Sequence, residues 1–148
     1  MAGFTRSVVI DRSVEEVFDF ATDLNNASKF LPNVTKVEML TDGGMKPGAK
    51  FKETRVMNGK ERSAVIEIVE HDRPKVQAAA ACMMGMCAKY TFRFSAEGSG
   101  TRVEMEAVVT GNFLWWLFLG MMSRMMEKED GEYLHRLKAA METTQPAT

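Results

Sequence analysis

After Pro32 and as far as Gly111 the chain alternates apolar and polar residues with a period of two, cut at short intervals by turn residues. No other feature limits its fold as strongly. VTKVEML, AKFKETRVM, SAVIEIVEH, KVQAAAACM, KYTFRFSA and TRVEMEAVV each read as a strand. Between them stand DGG and KPG near 42–48, NGK at 58–60, DRP at 72–74 and EGSG at 97–100. NGK and EGSG are hairpin signals, and the even spacing predicts an antiparallel meander. Tyr90, Phe92 and Phe94 share one face against Thr91 and Arg93, and Val103, Met105, Ala107 and Val109 share one against Arg102, Glu104 and Glu106. One side of the sheet is therefore buried and the other solvated.

Helical patterns flank the meander. FTRSVVID (4–11) reads as a further strand, with Phe4, Val8 and Ile10 on one parity and Arg6 as the exception. Arg6 either points inward or marks a frayed strand start. Ser13 with Glu16 three residues on forms a capping box, and Val14, Val17, Phe18, Ala21 and Leu24 follow helical spacing. Residues 25–32 offer a second short helix, capped by Asn25 or Asn26 and stopped by Pro32. After Gly111 a single helix is expected from 112 to about 143. Its stripe of Trp115, Leu119, Met122, Met126, Tyr133, Leu137 and Met141 should lie on the sheet. Residues 127–130 read as a solvated acidic patch, with Gly120 and Gly131 as weak points.

The expected architecture is α+β: a curved antiparallel sheet of about seven strands, two short helices after the first strand, and a long C-terminal helix across the concave face. Such an arrangement can leave a cavity between sheet and helix. Residues 1–143 read as one domain and 144–148 as a flexible tail.

With 19 basic and 20 acidic side chains the net charge is −1, which argues against a nucleic-acid surface. The N-terminal MAGFTRSVVIDRS lacks the basic-then-apolar pattern of a signal peptide, so a cytoplasmic location and free thiols are the default expectation. The run FLWWLFLGMM at 113–122 is too short to span a bilayer, which takes about 20 residues as a helix. The 13 methionines suit a pliable core or an adaptable binding surface.

The opening VVIDRSVEEVFDFATDLNNASKFLPNVTKVEM resembles that of the START-like, SRPBCC proteins, in the polyketide cyclase/dehydrase branch. PGAKF, EHDRPKV, YTFRF with GSGTRVEME, and the terminal LHRLKAAME also resemble phrases of that branch, in the same order. Phe30 stands where tryptophan is common there, and Ser13 where proline is common. The resemblance implies the helix-grip fold with an apolar cavity under the C-terminal helix. It also implies a small hydrophobic ligand such as a lipid, polyketide or quinone, and it implies no shared catalytic set.

The chemistry must then come from inward polar groups. His71 and His135 read as solvated, they lack the spacing of a helical zinc pair, and no metal or cofactor is expected. Glu53 and Arg55 share a face with Phe51 and Met57, so they are either a buried pair orienting a ligand or a surface salt bridge. Tyr90 is either a ligand contact or a core tyrosine bonded to backbone. Glu53, Arg55 and Tyr90 are the candidates for proton transfer, and the expected lining is Phe51, Cys82, Tyr90, Phe92, Met105, Trp115, Leu119, Met122 and Met126. Trp115 and Trp116 point to different sides, so one of them is free to contact a membrane surface or a second copy through residues 113–122.

CMMGMC at 82–87 sits at a hairpin. A two-residue turn at Met84 and Gly85 would set Cys82 opposite Cys87. A three-residue turn would instead put Val76, Ala78, Ala80 and Cys82 on the face of Tyr90, Phe92 and Phe94. Register follows the buried face, so the three-residue turn is favoured, with soft-metal and disulfide readings secondary. Three functions remain open: binding or carriage of a small hydrophobic molecule, a cyclase or dehydratase, and a membrane-associated protein resembling an accessory subunit of carbon monoxide dehydrogenase.

Overall fold

The alternating strands and their turns assemble as one sheet in the computed structural model, which describes residues 2–143; the tail expected at 144–148 lies outside the described residues. The strands are β1 (Ala2–Ile10), β2 (Val34–Met39), β3 (Lys50–Met57), β4 (Lys60–Asp72), β5 (Val76–Met83), β6 (Met86–Glu97) and β7 (Gly100–Gly111). They form a seven-stranded antiparallel sheet in the order β1-β7-β6-β5-β4-β3-β2. β2 through β7 is therefore a meander, and β1 closes on its last strand with Val8 opposite Val103.

The chain must cross the whole sheet to pass from β1 to β2. It does so through α1 (Val14–Thr22), a 3-10 turn at Leu24–Asn26 and α2 (Ala27–Phe30). Ser13 caps α1: its Oγ accepts from the Glu16 backbone N–H at 3.2 Å. Val17 and Phe18 from this crossing are buried on the sheet, with Phe18 edge-on to Phe94 at a centroid distance of 5.0 Å.

The C-terminal helix is present, in two pieces, α3 (Leu119–Asp130) and α4 (Tyr133–Glu142). It begins at Leu119 rather than at 112. Asn112 explains the delay: its Oδ1 accepts from the Leu114 N–H at 3.1 Å and its carbonyl from the Trp115 N–H at 2.9 Å, which winds residues 113–118 into turns. The break falls at Gly131, whose N–H donates to the Glu127 carbonyl at 2.7 Å. A Cβ there would stand 2.3 Å from that oxygen, so only glycine permits the approach.

Both helices lie against the β1 and β7 end of the sheet. The main core is there, around Ile10, Phe18, Val103, Met105, Leu134 and Leu137. A separate small cluster of Ala49, Phe51 and Ile68 sits over β3 and β4. The helix covers one half of the concave face, and the two clusters leave a gap between them.

Candidate functional site

That gap is a cavity of about 160 Å3. Its floor is the concave face of β3 to β6, one wall is the crossing from Ala21 to Leu31, and the other is the junction of α3 and α4 at Asp130 and Tyr133. Small side chains keep it open. Ala79 and Ala81 of β5 and Ala88 of β6 occupy floor positions where larger residues would fill the space. Phe51, Ile66, Ile68, Phe92, Leu24 and Phe30 make the remainder largely apolar.

One corner is polar. Glu53 and Arg55, two apart on β3, point the same way, and Arg55 Nε donates to Glu53 Oε1 at 2.6 Å. Arg55 Nη1 donates to Asp130 Oδ1 at 3.1 Å. The Tyr90 hydroxyl donates to Asp130 Oδ2 at 2.6 Å. β3, β6 and α3 thus meet through a single network, and its two carboxylates outnumber its one guanidinium. Tyr133 also borders the cavity, and its hydroxyl makes no hydrogen bond to another described residue. Gln77 is held on the floor by its Oε1, 2.6 Å from His71 Nδ1.

Burial governs the acid–base character of this corner. It disfavours the charged form of Arg55, but the Glu53 and Asp130 carboxylates outweigh it, and the guanidinium is held charged above its ordinary range. Burial first, and the Asp130 charge second, raise the Tyr90 hydroxyl well above its usual value. Tyr133 is raised as well, by burial and then by the charge of Glu53. Both phenols are therefore neutral donors at physiological pH.

Of the residues expected at the site, Phe51, Glu53, Arg55, Tyr90 and Phe92 border the cavity. Met105 instead belongs to the packed core beneath α4, and Leu119, Met122 and Met126 lie on α3 over β1 and β7, away from the gap. Trp115 sits at the β5–β6 hairpin, its Nε1 donating to the Met84 carbonyl at 2.6 Å. Arg6 has inward parity but pairs with Glu127 at 2.5 Å, outside the cavity. Among the described residues no helix is long and apolar enough to cross a membrane.

Cys82 is the largest correction. The hairpin is a two-residue turn at Met84 and Gly85, with φ of +54° and +85° and Met83 opposite Met86. Cys82 and Cys87 are cross-strand partners joined by a disulfide, not free thiols. Gln77, Ala79 and Ala81 oppose Phe92, Tyr90 and Ala88, so Val76, Ala78, Ala80 and Cys82 face the convex side. The three-residue register assumed that the wholly apolar set must face inward, but the concave side of β5 borders a cavity, where Gln77 is held by His71 and only Ala79 and Ala81 leave the space open. Among the described residues no group of three or more His, Cys, Asp or Glu stands where it could hold a metal.

Asp130 and Tyr133 were absent from the expected site. Asp130 ends the acidic run at 127–130, which reads as solvated, yet it is buried. Its three-residue spacing from Tyr133 was the one available signal that both face the same way. Of the alanines in KVQAAAACM, Ala79 and Ala81 form the open floor, and Ala78 and Ala80 face the convex side.

A curved antiparallel sheet with a C-terminal helix gripped over a cavity defines a helix-grip domain. Residues 1–142 match the family described as polyketide cyclase/dehydrase and lipid transport, and the chain belongs to that family. The fold is similar to that of Ara h 8.0201, with a TM-score of 0.76 and 13% identity over 96% of this chain and 99% of that one. It is similar to TTHA0849 from Thermus thermophilus, with a TM-score of 0.73 and 19% identity over 97% and 100%. It also matches the di-domain ARO/CYC BexL of the BE-7585A biosynthetic pathway, with a TM-score of 0.77 and 14% identity over 96% of this chain but 47% of that one. No curated protein matches this chain in sequence.

Proposed function

We propose that this protein binds or carries a small hydrophobic molecule in the cavity between the sheet and the α3–α4 junction. The observation that carries the reading is a largely apolar cavity of about 160 Å3 kept open by Ala79, Ala81 and Ala88, with Glu53, Arg55 and Asp130 gathered at one corner and Asp23 on the opposite wall. That volume suits a ring-sized group, since engineered apolar cavities of about 150 Å3 take up benzene. The corner selects the polar end. Two carboxylates against one guanidinium repel a carboxylate ligand and leave acceptor capacity for a hydroxyl. The neutral Tyr133 hydroxyl adds a donor. A compact ring bearing a hydroxyl, as in a phenolic polyketide, fits this chemistry better than a fatty acid.

The test is a titration of hydroxylated aromatics and fatty acids, with Ala79→Phe as the blocked variant. Micromolar binding of the hydroxylated rings, lost in Ala79→Phe while the fold persists, supports the reading. Absence of binding by every member of both series removes it.

A second reading, a cyclase or dehydratase, is favoured by the Tyr90–Asp130 contact at 2.6 Å, which joins a phenol and a carboxylate at the cavity wall, a pair through which a proton could be relayed. Glu53→Gln or Tyr90→Phe should then abolish turnover of a ligand found by the titration. Unchanged turnover in both variants ends that reading.

A further inference from the structure

Two uncharged stretches, residues 82–88 and 112–123, meet at one end of the molecule. Met86 pairs with Gly111, the Asn112 N–H donates to the Gly85 carbonyl at 3.0 Å, and the Trp115 indole donates to the Met84 carbonyl at 2.6 Å. These bonds fix the backbone of both loops while their apolar side chains project outward. Phe113 is 81% exposed, Met84 78%, Leu114 72% and Leu117 70%. Trp116 stands beside them, also exposed. A folded domain gains no stability from such a cluster.

Met84 makes the point sharper. It occupies a left-handed position, φ +54°, that disfavours any residue with a Cβ. The equivalent turn between β3 and β4 uses Asn58 and Gly59, with φ of +53° and +76°. The sequence therefore places an exposed apolar side chain where the fold would favour asparagine.

The first charged residue after each stretch is basic, Lys89 and Arg124 respectively. On α3 the exposed side is Met121, Arg124, Met125 and Lys128, which share one face by helical spacing. The carboxylates of this helix have partners elsewhere: Glu127 pairs with Arg6, Asp130 with Arg55, and Glu129 accepts from Asn33 Nδ2 at 3.5 Å.

From this arrangement we infer that the tip docks on a lipid bilayer bearing anionic headgroups. Phe113, Leu114, Trp116, Leu117 and Met84 enter the interface, and Arg124 and Lys128 meet the headgroups. Aromatic and aliphatic side chains beside basic ones are the chemistry of an interfacial contact. A two-fold contact between copies fits less well, because it would bring Arg124 and Lys128 of the two copies onto the same apolar patch. The concave stripe of Ala79, Ala81 and Met83 leads from the cavity floor to the same tip, so docking brings the cavity end of the sheet toward the bilayer.

The experiment is flotation of the full chain with vesicles of phosphatidylcholine, alone or mixed with phosphatidylglycerol, alongside light scattering without lipid. The wild type should float with the mixed vesicles and more weakly with the neutral ones. Trp116→Ser and Leu117→Ser should each weaken partitioning roughly tenfold. Arg124→Glu should weaken it about fivefold or more on anionic vesicles only. All three side chains are solvent-facing, so the variants keep the fold, which circular dichroism checks. Failure of the wild type to float overturns the inference, as does flotation of the two apolar variants equal to that of the wild type. A dimer that Trp116→Ser dissociates, with no vesicle binding, overturns it in favour of a second copy. Cavity binding measured without vesicles is a separate readout, so either result stands without the other.

Discussion

Tyr90 and Asp130 meet at 2.6 Å, the phenol from the middle of β6 and the carboxylate from the last residue of α3. The contact ties the helix to the half of the sheet that the helix does not cover. It also places the polar corner of the cavity where three elements converge.

The two tyrosines of the chain, Tyr90 and Tyr133, both border the cavity, and burial raises both above the ordinary value of 10.0. A group whose folded pKa is raised contributes its full stability below the unfolded value and loses it as pH rises beyond. Stability should therefore be level through neutral pH and fall once pH exceeds about 10. Tyrosinate absorbance should stay flat at that pH and rise only with unfolding. A native-state titration near the ordinary value would contradict the burial of these hydroxyls. Tyr90→Phe and Tyr133→Phe should each flatten the alkaline loss.

Arg55 holds two carboxylates that point at the same small space. Arg55→Ala should cost about 3 kcal/mol, because it leaves Glu53 and Asp130 without their counter-charge. Adding Glu53→Gln to Arg55→Ala should recover part of that loss in urea denaturation. Strict additivity of the two changes would show that the pair is not coupled.

The Cys82–Cys87 disulfide closes a loop with a sequence separation of only 5. Reduction, or Cys82→Ser with Cys87→Ser, should lower stability by about 2 kcal/mol. The bridge lies on the convex face, so the near-ultraviolet circular dichroism of the cavity aromatics should be unchanged. Equal stability of the oxidised and reduced protein would count against the bridge as a constraint on the hairpin.

Met84→Asn should raise stability by about 1 kcal/mol, since asparagine tolerates the left-handed conformation that methionine resists. The Trp115 bond should survive, because its acceptor is a backbone carbonyl. A lower melting temperature would mean that the Met84 side chain makes a stabilising contact.

Strand identities and the β2–β7 meander followed from local rules. Alternation in YTFRF and TRVEMEA, with turns at NGK and EGSG, specifies strands whatever their partners. The cap at Ser13 is equally local, because Glu16 lies within one turn. The start of the C-terminal helix was not legible. Apolar spacing continues unbroken through residues 113–118, and only the Asn112 turn and the seat of Trp115 on the hairpin keep that segment out of the helix.

The site divides along the same line. Which face Glu53 and Arg55 share with Phe51 is a matter of parity, and parity is written in the sequence. Whether that face meets solvent or a cavity depends on what lies opposite, and Asp130 arrives there from 75 residues away. The register of β5 also depended on the third dimension. Ala79 and Ala81 face inward onto empty space while Ala78 and Ala80 face outward, and emptiness has no signature in the period of a strand. By itself the sequence determined the strands, the meander of β2 to β7, the cap and the family resemblance, all of which rest on interactions between near neighbours or on the phrase order along the chain. The cavity, its polar corner and the pairing of the two cysteines were decided only when distant segments packed, because each depends on distances that local pattern does not encode.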